Sequence, residues 1–288
     1  MDSKYLSSLI AAIEYGSIAK AARNQGITAA AVSQRIQVLE RELNTILLNR
    51  VGHTAKPTDA AMAMLGRARR IVREVELLKN DIHADSLSGT IRIGTISTAL
   101  TGILPGALME LHRLAPEIRP QIVPGTSSAL FDAMSRETID AAIMVIPPFE
   151  IPKRYQWHSL HSEELILLTG EPLRWDVAQT LATSPYISYD PNSWGGRLAQ
   201  QYLNDNHLTP RLLLELDGIE AISLLVKEKM GISLLPRWPG LTRISPKLVQ
   251  TPVGGEYDRR IILLVRPESV NGRLLSLLVS SLREAGET

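Results

Sequence analysis

Between Thr28 and Leu43 the chain repeats apolar residues at the spacing of one helix face. Val32, Ile36, Leu39 and Leu43 stand at i, i+4, i+7 and i+11. At about 100° per residue, Ala30, Gln34, Gln37 and Arg41 fall opposite, with Ser33 and Arg35 on the flanks. Thr28 suits the N-cap, where its hydroxyl can accept from an otherwise unpaired N–H of the first turn. The outward face starts with two methyl groups, Ala29 and Ala30, and then carries amide, hydroxyl and guanidinium groups. Such a tip can approach another surface closely and then hydrogen-bond to it. A DNA major groove is one such surface. The same pattern also fits an ordinary amphipathic surface helix, so its flanks decide.

Upstream, Tyr5, Leu6, Leu9, Ile10 and Ile13 predict a first amphipathic helix ending near Tyr15-Gly16. Ser17 is expected to cap a second helix over 18–24, whose Ala19, Ala21 and Ala22 leave room for close packing. Gln25-Gly26-Ile27 is a short turn that delivers the chain to Thr28. Helix, short glycine turn, helix is the helix-turn-helix unit, whose second helix reads the groove. Downstream, Asn44 suits a left-handed helix end, and residues 51–57 read as a two-stranded wing. Thr58-Asp59 then starts a helix of about 25 residues with an apolar side through Met62, Leu65, Ala68, Ile71, Val72, Val75, Leu78 and Ile82. Arginines 67, 69, 70 and 73 are interspersed. A helix of that length with nothing adjacent to cover its stripe calls for a partner helix, so dimerisation is expected through it.

Charge supports a polyanion partner at one end. Residues 1–83 hold twelve Lys/Arg against eight Asp/Glu, net +4, and the remainder nineteen against twenty-two, net −3. The 288 residues contain no cysteine, which excludes disulfides, thiolate metal sites and thiol-based sensing. No stretch approaches the ~18 unbroken apolar residues of a membrane span. The opening Met-Asp-Ser-Lys runs into an amphipathic pattern rather than a signal peptide, so a cytoplasmic location is expected.

With these residues in view, 1–83 resembles the DNA-binding region of the LysR-type transcriptional regulators. Gly16-Ser17, Ala21-Ala22, Thr28, Ala31-Val32-Ser33, Ile36, Leu39-Glu40, Leu43, Leu47, Arg50 and Pro57-Thr58 carry the match without a gap. The chain departs from the family at Ala29 and Ala30, where Gln and then Pro or Ser are usual, at Leu48 for Phe, and at Asn44 for Gly. The two alanines remove side chains that could read a base.

Beyond a hinge at 85–89 the pattern alternates strands (90–95, 119–123, 140–146, 164–169, 186–189, 211–216, 232–235, 260–265) with helices (102–114, 128–135, 194–206, 219–229, 272–284), which argues for parallel sheets. That order resembles the effector region of the same regulators, built like a periplasmic binding protein with two α/β subdomains around a cleft. Gly89-Thr-Ile-Arg-Ile-Gly, Leu104-Pro105, Ile139-Asp140 and Gly231 to Pro236 are its landmarks. The implied division is 1–58 winged helix-turn-helix, 59–88 linker helix and hinge, and 89–288 effector region. Within the last, the first subdomain takes about 89–161 and 266–288, and the second about 162–265.

In α/β sheets ligands collect beyond the carboxyl ends of strands. Three such places are polar: Ser97-Thr98, Thr126-Ser127-Ser128, and Asp190 with Asn192 and Ser193. The first two are where the family commonly holds its effector. Their hydroxyls suit a carboxylate or another small anion, although each residue could equally cap its own helix. His158 and His161, with Glu163 and Glu164, are poor metal ligands, because i and i+3 on a strand face opposite ways. No catalytic constellation, Walker loop or dinucleotide fingerprint is present, and no cofactor is expected.

The expectation is therefore an α/β chain with an N-terminal winged helix-turn-helix, acting as a dimeric or tetrameric DNA-binding regulator controlled by a small molecule. Arg35, Arg50 and Lys56 are expected on phosphates, Ser33, Gln34 and Gln37 on bases, and Ser17, Thr28, Ala29 and Ala30 at the interface. The rival, a transporter's solute-binding protein, has no use for the basic N-terminal module.

Overall fold

The structure is a computed structural model that describes residues 1–51, 54–81, 87–267, 270 and 272–287. It forms two compact units, Met1–Ser86 and Leu87–Thr288.

In the first unit, α1 (Ser3–Glu14), α2 (Ile18–Gln25) and α3 (Ala29–Glu42) pack around Leu6, Leu9, Val32, Ile36 and Leu39. Ala21 and Ala22 are buried between helices, so small side chains set how closely the helices approach. Gly26 ends α2 in the left-handed region at φ 64°, which an L side chain adopts only with strain. Asn44 ends the next helix with φ 48°, as its position predicts. The Thr28 hydroxyl accepts from Ala31 N at 3.1 Å and forms the expected cap. Ser17 forms no side-chain cap on α2, so that expectation is corrected; its backbone alone starts the helix.

The wing pairs β1 (Leu48–Val51) with β2 (Thr54–Pro57) in antiparallel register. Glu40 Oε1 accepts from both Leu47 N at 2.8 Å and Leu48 N at 3.1 Å, fixing the wing to α3. α4 (Asp59–Asp81) follows, with 23 residues and a length of about 34 Å at ~1.5 Å per residue. Ala61, Leu65 and Ala68 join the core. Met62, Ile71 and Leu78 are exposed. Ile82 and residues 85 and 86 of the expected hinge lie outside the described residues.

The second unit contains β3 (Gly89–Thr95), α5 (Ser97–Thr101), α6 (Leu104–Leu114), β4 (Ile118–Pro124), α7 (Ser127–Ser135) and β5 (Ala141–Val145). Next come β6 (Gln156–Glu163), β7 (Leu165–Thr169), α8 (Val177–Thr183), β8 (Pro185–Tyr189), α9 (Gly196–Asp205) and β9 (Arg211–Leu216). The unit closes with α10 (Ile219–Lys227), β10 (Ser233–Pro236), α11 (Leu241–Ile244), β11 (Val249–Pro252), β12 (Arg259–Val265) and α12 (Gly272–Glu287).

One subdomain carries the sheet β4-β3-β5-β12-β6, and the other carries β10-β7-β11 beside β8-β9. A parallel bridge between Tyr186 and Ile232 links those last two. The sheets are mixed rather than wholly parallel: β3 runs parallel to β4 and β5, but β12 is antiparallel to β5 and β6. β6 and β12 are the chain's two passages between subdomains, and both lie in the five-stranded sheet. Among the described residues no helix is long and apolar enough to cross a membrane.

Candidate functional site

On α3 the packed face is Val32, Ile36 and Leu39, which leaves Ala29, Ala30, Gln34 and Gln37 exposed and Ser33 half-buried. Arg35 is half-buried too, and its Nη1 donates to Ser8 Oγ at 3.3 Å. Ser8 Oγ donates in turn to Gln25 Oε1 at 2.9 Å, so this arginine ties the three helices together. Lys56 is exposed on β2. Arg50 lies on β1, and its side chain is outside the described atoms. The outward surface of α3 therefore begins flat, at two methyls, and rises to two amides one turn apart.

In the second unit the polar residues after the strands are all engaged. The Thr98 hydroxyl, 2 % exposed, accepts from Arg259 Nη2 at 3.0 Å. Ser97 Oγ donates to Glu220 Oε2 at 3.1 Å, across the cleft. Ser127 is buried and its hydroxyl accepts from Val145 N at 3.1 Å, whereas Thr126 caps α7 by accepting from Ala129 N at 3.3 Å and also meets Ser128 Oγ at 3.2 Å. Asp190 Oδ1 accepts from Asn192 N at 2.8 Å and from its side-chain amide at 3.0 Å. The turn then closes tightly on itself, because a carbon added at Gly196 would fall 2.0 Å from Asp190 O.

Sequence spacing missed the group that holds Thr98, Arg259. It is the first residue of β12 and stands opposite Glu163 in the register with β6. Its Nε donates to Glu163 Oε2 at 2.6 Å, and both side chains are buried. The signal was present: at period two, Arg259 shares a face with the buried Ile261, Leu263 and Val265. Tyr189 lies alongside, since a carbon on Gly195 would sit 2.6 Å from its hydroxyl and 3.1 Å from Arg259 Cδ.

Burial works against the Arg259 charge, but Glu163 and Tyr189 outweigh it and hold the guanidinium above its ordinary pKa. Burial, then the nearby Asp190 carboxylate, raise the Asp217 carboxyl, with Arg259 opposing. His161 Nε2 meets Glu163 Oε1 at 3.0 Å. Among the described residues no group of three or more His, Asp or Glu is placed to hold a metal.

A second contact joins the subdomains. Phe131 of α7, Phe149 after β5 and Trp194 before α9 meet with ring centroids 5.1, 6.0 and 5.5 Å apart. Phe131 and Phe149 are the chain's only two phenylalanines. Their contacts with Trp194, tilted and edge-on, bring the helix that begins at Ser127 against the loop that carries Asp190 and Asn192.

Residues 4–62 match the family described as bacterial regulatory helix-turn-helix protein, lysR family, and residues 84–287 match the LysR substrate binding domain. The chain belongs to the LysR family. Relatives of this LysR protein include the HTH-type transcriptional regulator CfxR of Cupriavidus necator, 29% identical over 239 residues that cover 81% of this chain and 74% of that one. GltR of Bacillus subtilis is 27% identical over 240 residues, covering 82% and 80%.

Among solved structures, a full-length OxyR from Pseudomonas aeruginosa has a TM-score of 0.73 at 17% identity and covers 98% of each chain. Full-length CbnR complexed with its target DNA has a TM-score of 0.66 at 19% identity, covering 99% of this chain and 100% of that one. At such identities the likeness is one of fold. LysR proteins are DNA-binding transcriptional regulators with an effector-binding domain, not enzymes, and the transporter reading is not favoured.

Proposed function

We propose that this LysR protein acts in the cytoplasm as an operator-binding regulator whose α3 enters the major groove. Ser33, Gln34 and Gln37 read base edges; Arg35, Arg50 and Lys56 contact phosphates; Ser17, Thr28, Ala29 and Ala30 line the approach. α4 pairs two protomers, giving a dimer or, from two such dimers, a tetramer. A small molecule enters the cleft among Ser97, Thr98, Thr126, Ser127, Ser128, Asp190 and Asn192 and shifts the assembly between states of different operator affinity. The domain division that goes with this reading is 1–58, 59–88 and 89–288.

The observation that carries the DNA half of this reading is the surface of α3: two exposed methyls followed by exposed Gln34 and Gln37 on a helix whose other face is buried. Its test compares Gln34→Ala with the parent on operator and on unrelated duplex. Specific binding is expected to weaken by about 1–3 kcal/mol, with non-specific binding and melting temperature nearly unchanged. Equal losses on both duplexes would make Gln34 a phosphate contact and refute the base-reading role.

A further inference from the structure

Glu220, in the first turn of α10, has no Lys, Arg or His paired with it among the described residues. Hydroxyls from the opposite subdomain hold it instead. Ser97 Oγ donates to Oε2 at 3.1 Å, and Thr101 Oγ1 lies 3.5 Å from Oε1. The Ser97 contact is the firm one, since the single Thr101 proton lies nearer, at 3.4 Å, to the carbonyl oxygens of Ser97 and Thr98. The charge-assisted Arg259–Glu163 pair a short way off is of a much stronger kind.

One buried donor near Thr101 is unused. Trp238 is 2 % exposed, and its Nε1 has no acceptor. A carbon added at Gly240 would lie 2.9 Å from both Thr101 O and Trp238 Nε1 and 3.0 Å from Thr101 Oγ1, so Trp238 and Thr101 close tightly on Gly240 from two sides. A buried indole N–H without an acceptor is uncommon. It leaves one unused donor next to Thr101, on the Glu220 side of the subdomain boundary.

We propose that Glu220 is a resident occupant of a carboxylate-binding position, and that the effector carries a carboxylate that takes its place. The inference rests on the reading that the cleft binds a small molecule. Charge favours replacement over addition. Asp190 and Asp217 already repel one another nearby, and the charge of Arg259 is neutralised by Glu163. An anion added beside Glu220 would meet like charge, whereas one that releases Glu220 to water leaves the local balance unchanged. Because the displaced contact spans the two subdomains, the exchange would untie one side of the cleft. Ligand chemistry and conformational change are then linked through a single side chain.

The test is chemical rescue in the full-length chain. Glu220→Ala vacates a space the size of a propionate headgroup, so sodium propionate is expected to raise its melting temperature saturably by about 2–4 °C over sodium chloride of equal ionic strength. The parent, with Glu220 competing, responds less at each concentration. Glu220→Gln, whose amide still fills the space, does not respond, and n-propylammonium chloride has no effect on any of the three. Adding Ser97→Ala to Glu220→Ala abolishes the rescue. If the alanine variant does not fold, Glu220→Ser leaves a similar vacancy.

A folded vacancy variant that ignores propionate, or that responds to propylammonium instead, overturns the proposal and makes the Ser97–Glu220 contact a structural tie. The broader cleft reading fails on a separate measurement: whether any ligand of the parent protein alters its binding to operator DNA.

Discussion

Arg259 Nη2 donates a 3.0 Å hydrogen bond to the hydroxyl of Thr98, 161 residues away, and joins the last strand of the C-terminal unit to the turn that follows its first. On sequence grounds Thr98→Val is a clean probe of the effector pocket, since valine keeps the shape. The buried geometry adds a second effect, because the substitution deprives a desolvated guanidinium of one acceptor. Thr98→Val is expected to lower stability by about 1–3 kcal/mol and to blunt the effector response as well. Urea unfolding and operator binding with and without effector read the two separately. Unchanged stability would show that Arg259 finds another acceptor.

Ile71 is 48% exposed, and Val75 stands one turn further along the same stripe of α4, with Met62 and Leu78 also uncovered within Met1–Ser86. Replacing Ile71 and Val75 together with Glu would place charges in the protomer contact, at a cost that should break it. Light scattering after size exclusion is expected to show a species of half the parent mass or less. A mass equal to the parent's would mean that protomers associate through another surface.

The raised carboxyl of Asp217 makes a statement about pH. An acid whose folded value lies above its unfolded one binds its proton more tightly in the native chain. Its favourable contribution is therefore present at low pH and lost as pH rises through the folded value. Asp217→Asn is accordingly expected to raise the melting temperature at about pH 7, by an amount that shrinks as the pH falls and the parent residue takes up its proton. The residue is exposed, so the gain is modest. A variant less stable than the parent at neutral pH would show that the charge does useful work in the cleft.

What the sequence made legible was local. The cap at Thr28, the glycine turn at Gly26 and the helix end at Asn44 each follow from the chemistry of one residue. The expected helix over 102–114 is α6, which starts at Leu104 because the backbone turns sharply at Gly102 (φ −98°, ψ −90°) and Pro105 suits a fresh start; the five-residue α5 ahead of that turn is too short to show a period. α8 and β11 escaped notice: one is a single short helix and the other a four-residue, half-buried strand ending in Pro252, so neither shows a clear period. Parallel sheets were expected from the alternation of elements, but alternation is silent on strands that pair far out of order, such as β12 with β6.

The same limit governs the cleft. Ser97 and Thr98 were visible as polar residues after a strand, while their partners Glu220 and Arg259 stand 123 and 161 positions away. No spacing rule reaches that far.

The facing of Arg259 and Glu163 across β12 and β6 also constrains how this chain can drift. Losing either member alone strands a buried charge, at about 3–5 kcal/mol, a large share of the ~5–15 kcal/mol that holds a typical domain together. An apolar residue at both positions avoids that cost, yet every path to it runs through one of the two defective singles. Positions 163 and 259 are thus kinetically trapped in sequence space: an exchange that would be tolerable as a pair is barred one step at a time, unless stability gained elsewhere carries the chain across.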